Sequence, residues 1–264
     1  TDANSCTTTE AVTITQSALV VASGTITNVD CNGNSTGSID FGVVGGSGSY
    51  TYAWSDGASY TATTEDISSL PAATYTCTVT ESNSCTVTGT VAFTVTQPAA
   101  ALSASSTSVN VLCNAASTGS IDLTVSGGTT NYTYAWSDGS NYTATTQDIS
   151  NLSAGNYSVI VTDFNGCLSV NTSTISEPSP LIANGYISQS VSGFGNFNGE
   201  ITASVSGGTA PYQYSINNGA FQSNPVISNL GAGNYAINYI DSNNCIISEV
   251  ITLTQPGPVS GNIS

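Results

Sequence analysis

The sequence predicts an all-β protein built from tandem immunoglobulin-like β-sandwich modules arranged as an extended rod. Three observations lead there. A long motif recurs at intervals of about 80 residues. Apolar residues inside each copy alternate with period two. Thr, Ser, Val, Gly and Asn dominate the composition, Leu is scarce and Met is absent, which suits short strands and turns better than helices.

Self-similarity sets the organisation. CNGNSTGSIDFGVVGGSGSYTYAWSDG, from Cys31 to Gly57, returns as CNAASTGSIDLTVSGGTTNYTYAWSDG from Cys113 to Gly139, identical at 19 of 27 positions without a gap. A diverged copy, GFGNFNGEITASVSGGTAPYQYSINNG, runs from Gly193 to Gly219. The second half of the motif recurs too, ending at Cys85, Cys167 and Cys245, and TDANSC ends the same way at Cys6. Each copy closes on a strand-like run and a proline: Pro98, Pro178 and Pro256. Proline donates nothing to a ladder and restricts its neighbour, so it marks a boundary. The expected divisions are therefore 1–16, the last strands of a preceding repeat; 17–98, the first full repeat; 99–178, the second; 179–256, a diverged third; and 257–264, the start of another. On this reading the chain is an internal piece of a longer protein, with targeting and anchoring signals elsewhere. The short linkers imply limited bending between neighbouring repeats.

Within a repeat, Ile121, Leu123 and Val125 alternate with polar residues before the Gly127-Gly128 turn. Tyr132, Tyr134 and Trp136 then share one face of a strand that ends at Asp138-Gly139. Tyr157, Val159 and Val161 alternate before the turn at Asp163. About seven such strands per copy fit an immunoglobulin-like sandwich. The Leu-x4-Tyr spacing at Leu70/Tyr75, Leu152/Tyr157 and Leu230/Tyr235 fits a tyrosine corner, and Trp54 and Trp136 fit the aromatic that fills such a core. Nowhere does a 3.6-residue period persist over a helix length.

Composition removes whole classes of function. The chain has no Lys, Arg or His and 16 acidic residues, for a formal charge of −16. Nucleic-acid binding needs cations to displace phosphate counterions, and anionic membrane surfaces select for them too. No apolar run is long enough to insert in a bilayer. Serines are plentiful but lack a His or Lys base. Paired carboxylates could hydrolyse glycosides, yet the acids change between copies. Asp40 and Asp122 become Thr202, Asp56 and Asp138 become Asn218, and Asp66 and Asp148 become Val226. Such replacement marks surface or turn positions. No catalytic residue is expected, and the chain reads as a non-enzyme.

The seven cysteines suggest an oxidising compartment. Cys31 and Cys85 are 54 residues apart, as are Cys113 and Cys167. That equal spacing predicts one disulfide inside each of the first two repeats, worth roughly 4 kcal/mol by the chain-entropy model. Cys77 aligns with the inward Val159 and reads as a buried thiol. Cys245 faces Gly193 where a partner would stand, and Cys6 lies in the partial copy, so neither has an assigned partner. No CxxC or His offers a structural metal site. An acid recurs two residues before Asn at Asp2, Glu81, Asp163 and Asp241. The simplest expectation is a turn capped by its own side chain; calcium at Asp163 and Asp241 is the alternative, with no other cofactor expected. Tyr60 and Tyr142, in the loop after the Trp strand, are the candidate ligand contacts.

The pattern CNGxxxGSI…VSGGTxxYTYxWSxG…TxDISNLxAGxYxVxVTDxNGC resembles the SprB repeat of very large cell-surface proteins of Bacteroidetes. The match is best over 99–178, close over 17–98 and weaker over 179–256, which departs at Gly193, Asn218 and Val226. The resemblance implies an extracellular adhesin of the gliding-motility kind, secreted by the type IX system; it fixes no binding residues. Three expectations follow. The repeats form a non-catalytic stalk whose partners are its neighbouring repeats; or they themselves bind extracellular polysaccharide or surfaces; or they pack laterally into a filament. The third copy shortens the loop that carries Tyr60 and Tyr142 by two residues, which favours the stalk.

Overall fold

The computed structural model describes residues 1–14, 18–46, 48–81 and 91–261; Cys85, expected to pair with Cys31, lies outside them. No helix occurs among the described residues. Two compact units are present. The first comprises Thr1–Ser103, Ser126–Tyr132 and Thr162–Leu168, and the second Ala104–Val125, Thr133–Val161 and Ser169–Ser264.

The first unit holds β1 (Val21–Thr27), β2 (Gly37–Val44), β3 (Tyr50–Ser55), β4 (Thr61–Ala62), β5 (Ile67–Leu70), β6 (Ala73–Glu81) and β7 (Val91–Val95). They form two sheets, ordered β1-β2-β5 and β4-β3-β6-β7. The period-two pattern explains the layering. On β2, Gly37, Ile39 and Phe41 are buried while Asp40 faces out; on β6, Tyr75, Cys77, Val79 and Glu81 are buried while Thr74, Thr78 and Thr80 are not. Trp54 pairs with Cys77 in register, and both are sealed between the sheets. Phe41 meets Trp54 and Phe93 edge-on at 5.1 and 5.7 Å, geometry that suits the ring quadrupoles.

Within the second unit the strands are β8 (Ser103–Val109), β9 (Gly119–Ser126), β10 (Thr133–Ser137), β11 (Thr143–Ala144), β12 (Ile149–Leu152), β13 (Gly155–Thr162) and β14 (Leu168–Ile175), several of which end at the unit boundary. They repeat the first pattern, as β12-β9-β8 and β11-β10-β13-β14. The diverged copy adds β15 (Ile182–Ala183), β16 (Tyr186–Gln189), β17 (Gly199–Thr202), β18 (Val205–Ser206), β19 (Gln213–Ile216), β20 (Val226–Leu230), β21 (Gly233–Ile240) and β22 (Ile246–Leu253). Its sheets are β15-β18, β16-β17-β20 and β19-β21-β22. Its core is Val191, Ile201, Ala203, Ile227, Ile237, Tyr239 and Leu253.

The phenols at the start of β6, β13 and β21 bond back four residues. Tyr75, Tyr157 and Tyr235 donate to the carbonyls of Pro71, Ser153 and Gly231 at 2.9, 3.0 and 3.0 Å. The two tryptophans are 2% exposed, their indole N–H groups donating to Thr64 O and Thr146 O at 3.0 Å. A buried ring with its polar edge satisfied costs the core nothing in unmet hydrogen bonds.

The repeat junction as candidate functional site

The acid-x-Asn-x-Cys stretch folds the same way wherever it is described. In the first unit, Asp163 is buried. One carboxylate oxygen accepts the backbone N–H of Asn165 and of Cys167, both at 2.9 Å, and the other accepts Thr129 N–H at 2.8 Å. Asp241 does the same in the second unit with Asn243, Cys245 and Thr209, each at 2.9 Å. Asp2 bonds Asn4 and Cys6 likewise at 2.9 Å. Both oxygens of Asp163 and Asp241 thus serve to shape a turn. Among the described residues no three His, Cys, Asp or Glu side chains gather where a metal ion could be held.

A glycine pair brings the linker against that turn. Gly128 has φ +62°, and a Cβ there would lie 2.6 Å from the Asp163 carboxylate; one on Gly127 would lie 2.0 Å from Ala101 O. Gly207 and Gly208 repeat the arrangement beside Pro180 and Asp241. A side chain at either position would break the approach, since a positive φ disfavours L residues as well.

The Asn of each turn then grips the preceding repeat. Asn165 donates from Nδ2 to Asp30 O at 2.9 Å and to Thr129 Oγ1 at 3.0 Å. Asn243 does so to Leu112 O and Thr209 Oγ1, both at 3.0 Å. Beside each Asn the cysteine closes a disulfide: Cys31–Cys167 in the first unit and Cys113–Cys245 in the second, with Cα atoms 5.7 and 5.6 Å apart.

The disulfides correct the pairing expected inside each repeat. Cys167 bonds Cys31 of the repeat before it rather than Cys113, and Cys113 bonds Cys245 of the repeat after it. The physical reason is where each turn is seated: Asn165 on Asp30 O brings Cys167 to Cys31, and Asn243 on Leu112 O brings Cys245 to Cys113. Cys245, left without a partner from the sequence, is half of a bridge. Cys77 is buried and unpaired and Cys6 is exposed and unpaired; burial pushes the Cys77 thiol up.

Two hydrogen bonds complete each junction. Asn32 and Asn114 donate to Pro98 O and Pro178 O at 2.7 and 3.1 Å, fixing the exit linker to the cysteine loop. Gln97 and Glu177 accept the N–H of Gly33 and Ala115 at 2.8 and 2.6 Å. Asp30 is held below the usual carboxylate range by the Thr36 hydroxyl and the Cys31 N–H.

Tyr60 and Tyr142 sit in the loop after the Trp strand. Each is half-buried and stands edge-on to its neighbouring phenol, Tyr75 at 5.2 Å and Tyr157 at 5.4 Å. Asp56 and Asp138 hold the loop by accepting N–H from residues two and four further on, which keeps both carboxyls below their ordinary range. An open groove of about 540 Å³ lies beside Tyr142, lined also by Asp138, Asn141, Asn151 and Asn156.

Three tandem segments, 23–59, 105–141 and 185–221, match the family model described as SprB repeat. No curated protein matches the chain. Among solved structures, the titin I-band fragment I67–I69 is 13% identical, with a TM-score of 0.41, covering 92% of this chain and 100% of that one. The surface layer protein SbsC, domains 1–6, is also 13% identical, with a TM-score of 0.31, covering 93% of this chain and 41% of that one. At such values neither likeness carries a function across.

Proposed function

As a chain that carries three SprB repeats, this protein is, we propose, a non-catalytic stalk segment of a large secreted bacterial adhesin, cross-linked from repeat to repeat. The repeat match supports a cell-surface repeat protein of adhesin type. Exposure at the surface of a gliding Bacteroidetes cell, after type IX secretion, is the finer reading that the family suggests. One observation carries the stalk: the disulfides join successive repeats instead of closing each on itself.

The two bridges interleave, because Cys113 lies inside the loop closed by Cys31–Cys167 and Cys167 inside the loop closed by Cys113–Cys245. A pulled chain therefore reaches its limit along the shortest covalent route. That route runs to Cys31, across to Cys167, back to Cys113, across to Cys245 and on. At about 3.5 Å per residue it spans about 370 Å, against about 920 Å for the chain without bridges. Repeats that unfold under load are thus kept close to their partners for refolding, a property useful in a tether and irrelevant to an enzyme.

Stretching single molecules by their termini tests this. The oxidised chain should stop near the shorter limit and the reduced chain near the longer. Equal limits would remove the proposal.

Direct binding of polysaccharide is the second reading, favoured by the groove beside Tyr142 with its ring, carboxylate and amides. The third repeat has no tyrosine at that place and Asn218 for the aspartate, so the groove is not a shared property of the repeats. Saturable binding of one glycan class to segment 17–178, abolished by Tyr142→Ala, would replace the stalk with this reading.

A further inference from the structure

The loop that receives the next repeat exists a third time, with different chemistry. Residues 193–198 correspond to 31–36 and 113–118. The backbone shape is kept. Ser192 N–H donates to the residue six positions on, Asn198 Oδ1 at 3.1 Å, as Asp30 and Leu112 donate to Thr36 and Thr118 at 3.1 Å. Gln255 accepts Gly195 N–H at 2.8 Å, as Gln97 accepts that of Gly33. The ties, however, are gone. Gly193 replaces the disulfide cysteine, and Phe194 replaces the Asn that holds the exit linker. Phe194 is 61% exposed, and Phe197, where the other copies have Ser35 and Ser117, is 73% exposed.

We propose that the Ser192–Asn198 end of the third repeat is an apolar docking face for a further repeat of the same kind, tethered through Pro256 and held reversibly by Phe194 and Phe197 in place of a disulfide. Two observations name the occupant. The equivalent loop is where the next repeat's Asn-x-Cys turn sits in both described junctions, on Asp30 O and on Leu112 O. The linker repeats as well: Gln255-Pro256-Gly257-Pro258-Val259 aligns with Glu177-Pro178-Ser179-Pro180-Leu181, whose Leu181 packs against Gly208 of its own repeat.

Patch size argues against a free partner. Two partly exposed phenylalanines offer on the order of 300 Å², well short of the roughly 800 Å² per side of a stable complex. A net charge of −16 opposes association of copies. Tethering supplies an effective concentration in the millimolar range, enough for a contact this small. The array would then alternate locked joints with a releasable one. This rests on the reading of the chain as a junctioned array and not on its adhesive role.

The test appends a copy of residues 99–178 directly after Pro256, with Ser at the copied Cys113, and follows amide exchange of residues 193–198. Seating of the added repeat should slow exchange there at least tenfold relative to residues 1–256 alone. Phe194→Ser with Phe197→Ser should return it to the unextended rate while loop 113–118 stays protected. Gly193→Cys should form a disulfide with the added copy's last cysteine under mild oxidation. No slowing, or no cross-link in the oxidised variant, overturns the proposal. So does a dimer of the unextended chain in sedimentation that the double Phe variant abolishes, which would make a second copy the occupant. If Cys31–Cys167 is absent from non-reduced peptide maps, the array reading itself fails, an outcome separable from failure at the third loop.

Discussion

The second and third repeats fill the same sandwich core in different ways. In the second, Trp136 is 2% exposed, and Val159 and Val161 on β13 are wholly buried. In the third, Ile216 stands where the Trp was and Tyr239 stands for Val161, so bulk has moved from the strand before the loop to the strand across from it. The Tyr239 ring is fully buried and meets Tyr214 edge-on at 5.7 Å. Its hydroxyl donates to Glu249, which also accepts Gly185 N–H at 2.8 Å. Gly185 has no room for a side chain, since a Cβ would lie 2.4 Å from the Tyr239 oxygen. Core volume can be exchanged between strands as long as the buried polar edge finds a partner.

Truncation at the two filler positions should separate the repeats most strongly. Trp136→Ala should cost about 4 kcal/mol, because a fully buried indole leaves a cavity that its neighbours close only in part. Ile216→Ala should cost about 2 kcal/mol, its side chain being smaller and incompletely covered. Urea unfolding of the full oxidised chain measures both. Equal costs would mean that Ile216 inherited the Trp's role and that Tyr239 did not.

Tyr239→Phe should come next, at about 1–2 kcal/mol for the hydroxyl and the Glu249 acceptor it satisfies. Its pH signature is specific. Burial first, then the hydrogen bond and charge of Glu249, push the Tyr239 phenol up from its ordinary value. The folded state therefore holds this proton more tightly than the unfolded chain does. Stability from it is complete below about pH 10 and falls as pH rises beyond that, by up to about 1.4 kcal/mol per pH unit. The Phe variant should lose one such contribution from its alkaline slope. Tyr142, Tyr157 and Tyr214 are also raised by burial and keep theirs. An unchanged slope would show that Tyr239 does not carry the difference.

Much of this architecture was legible in the residues. Period-two alternation on Ile121, Leu123 and Val125 placed a strand face, and the Leu-x4-Tyr spacing placed three phenols four residues beyond their acceptors, because both are local signals. The disulfide pairing was misread because spacing measures contour and not space. One signal was present. Gly193 removes the only cysteine that could have bonded Cys245 inside its own repeat, while Cys245 is retained. The exchange of Trp136 for Tyr239 was less accessible, since it depends on which strands face each other across the core. The role of Asn165 at the junction was not legible at all: an acid-x-Asn turn reads as self-contained until the next repeat is beside it.

The smallest expected effect tests that junction. Asn243→Ala should remove the Nδ2 bonds to Leu112 O and Thr209 Oγ1 while leaving the turn, because Asp241 and not Asn243 accepts the N–H groups that shape it. With Cys113–Cys245 intact the loss should be about 0.5–1 kcal/mol, the net worth of a partly exposed amide hydrogen bond. With the bridge reduced, the same substitution should also raise amide exchange in loop 113–118, since the amide is then the stronger polar tie from that turn to Leu112 O, the thiol of Cys245 being the weaker donor at 3.4 Å. Asn165→Ala should behave alike against Asp30 O. If neither substitution is felt more in the reduced chain than in the oxidised one, the amide and the disulfide do not act on the same joint, and each repeat is set against its neighbour by the linker alone.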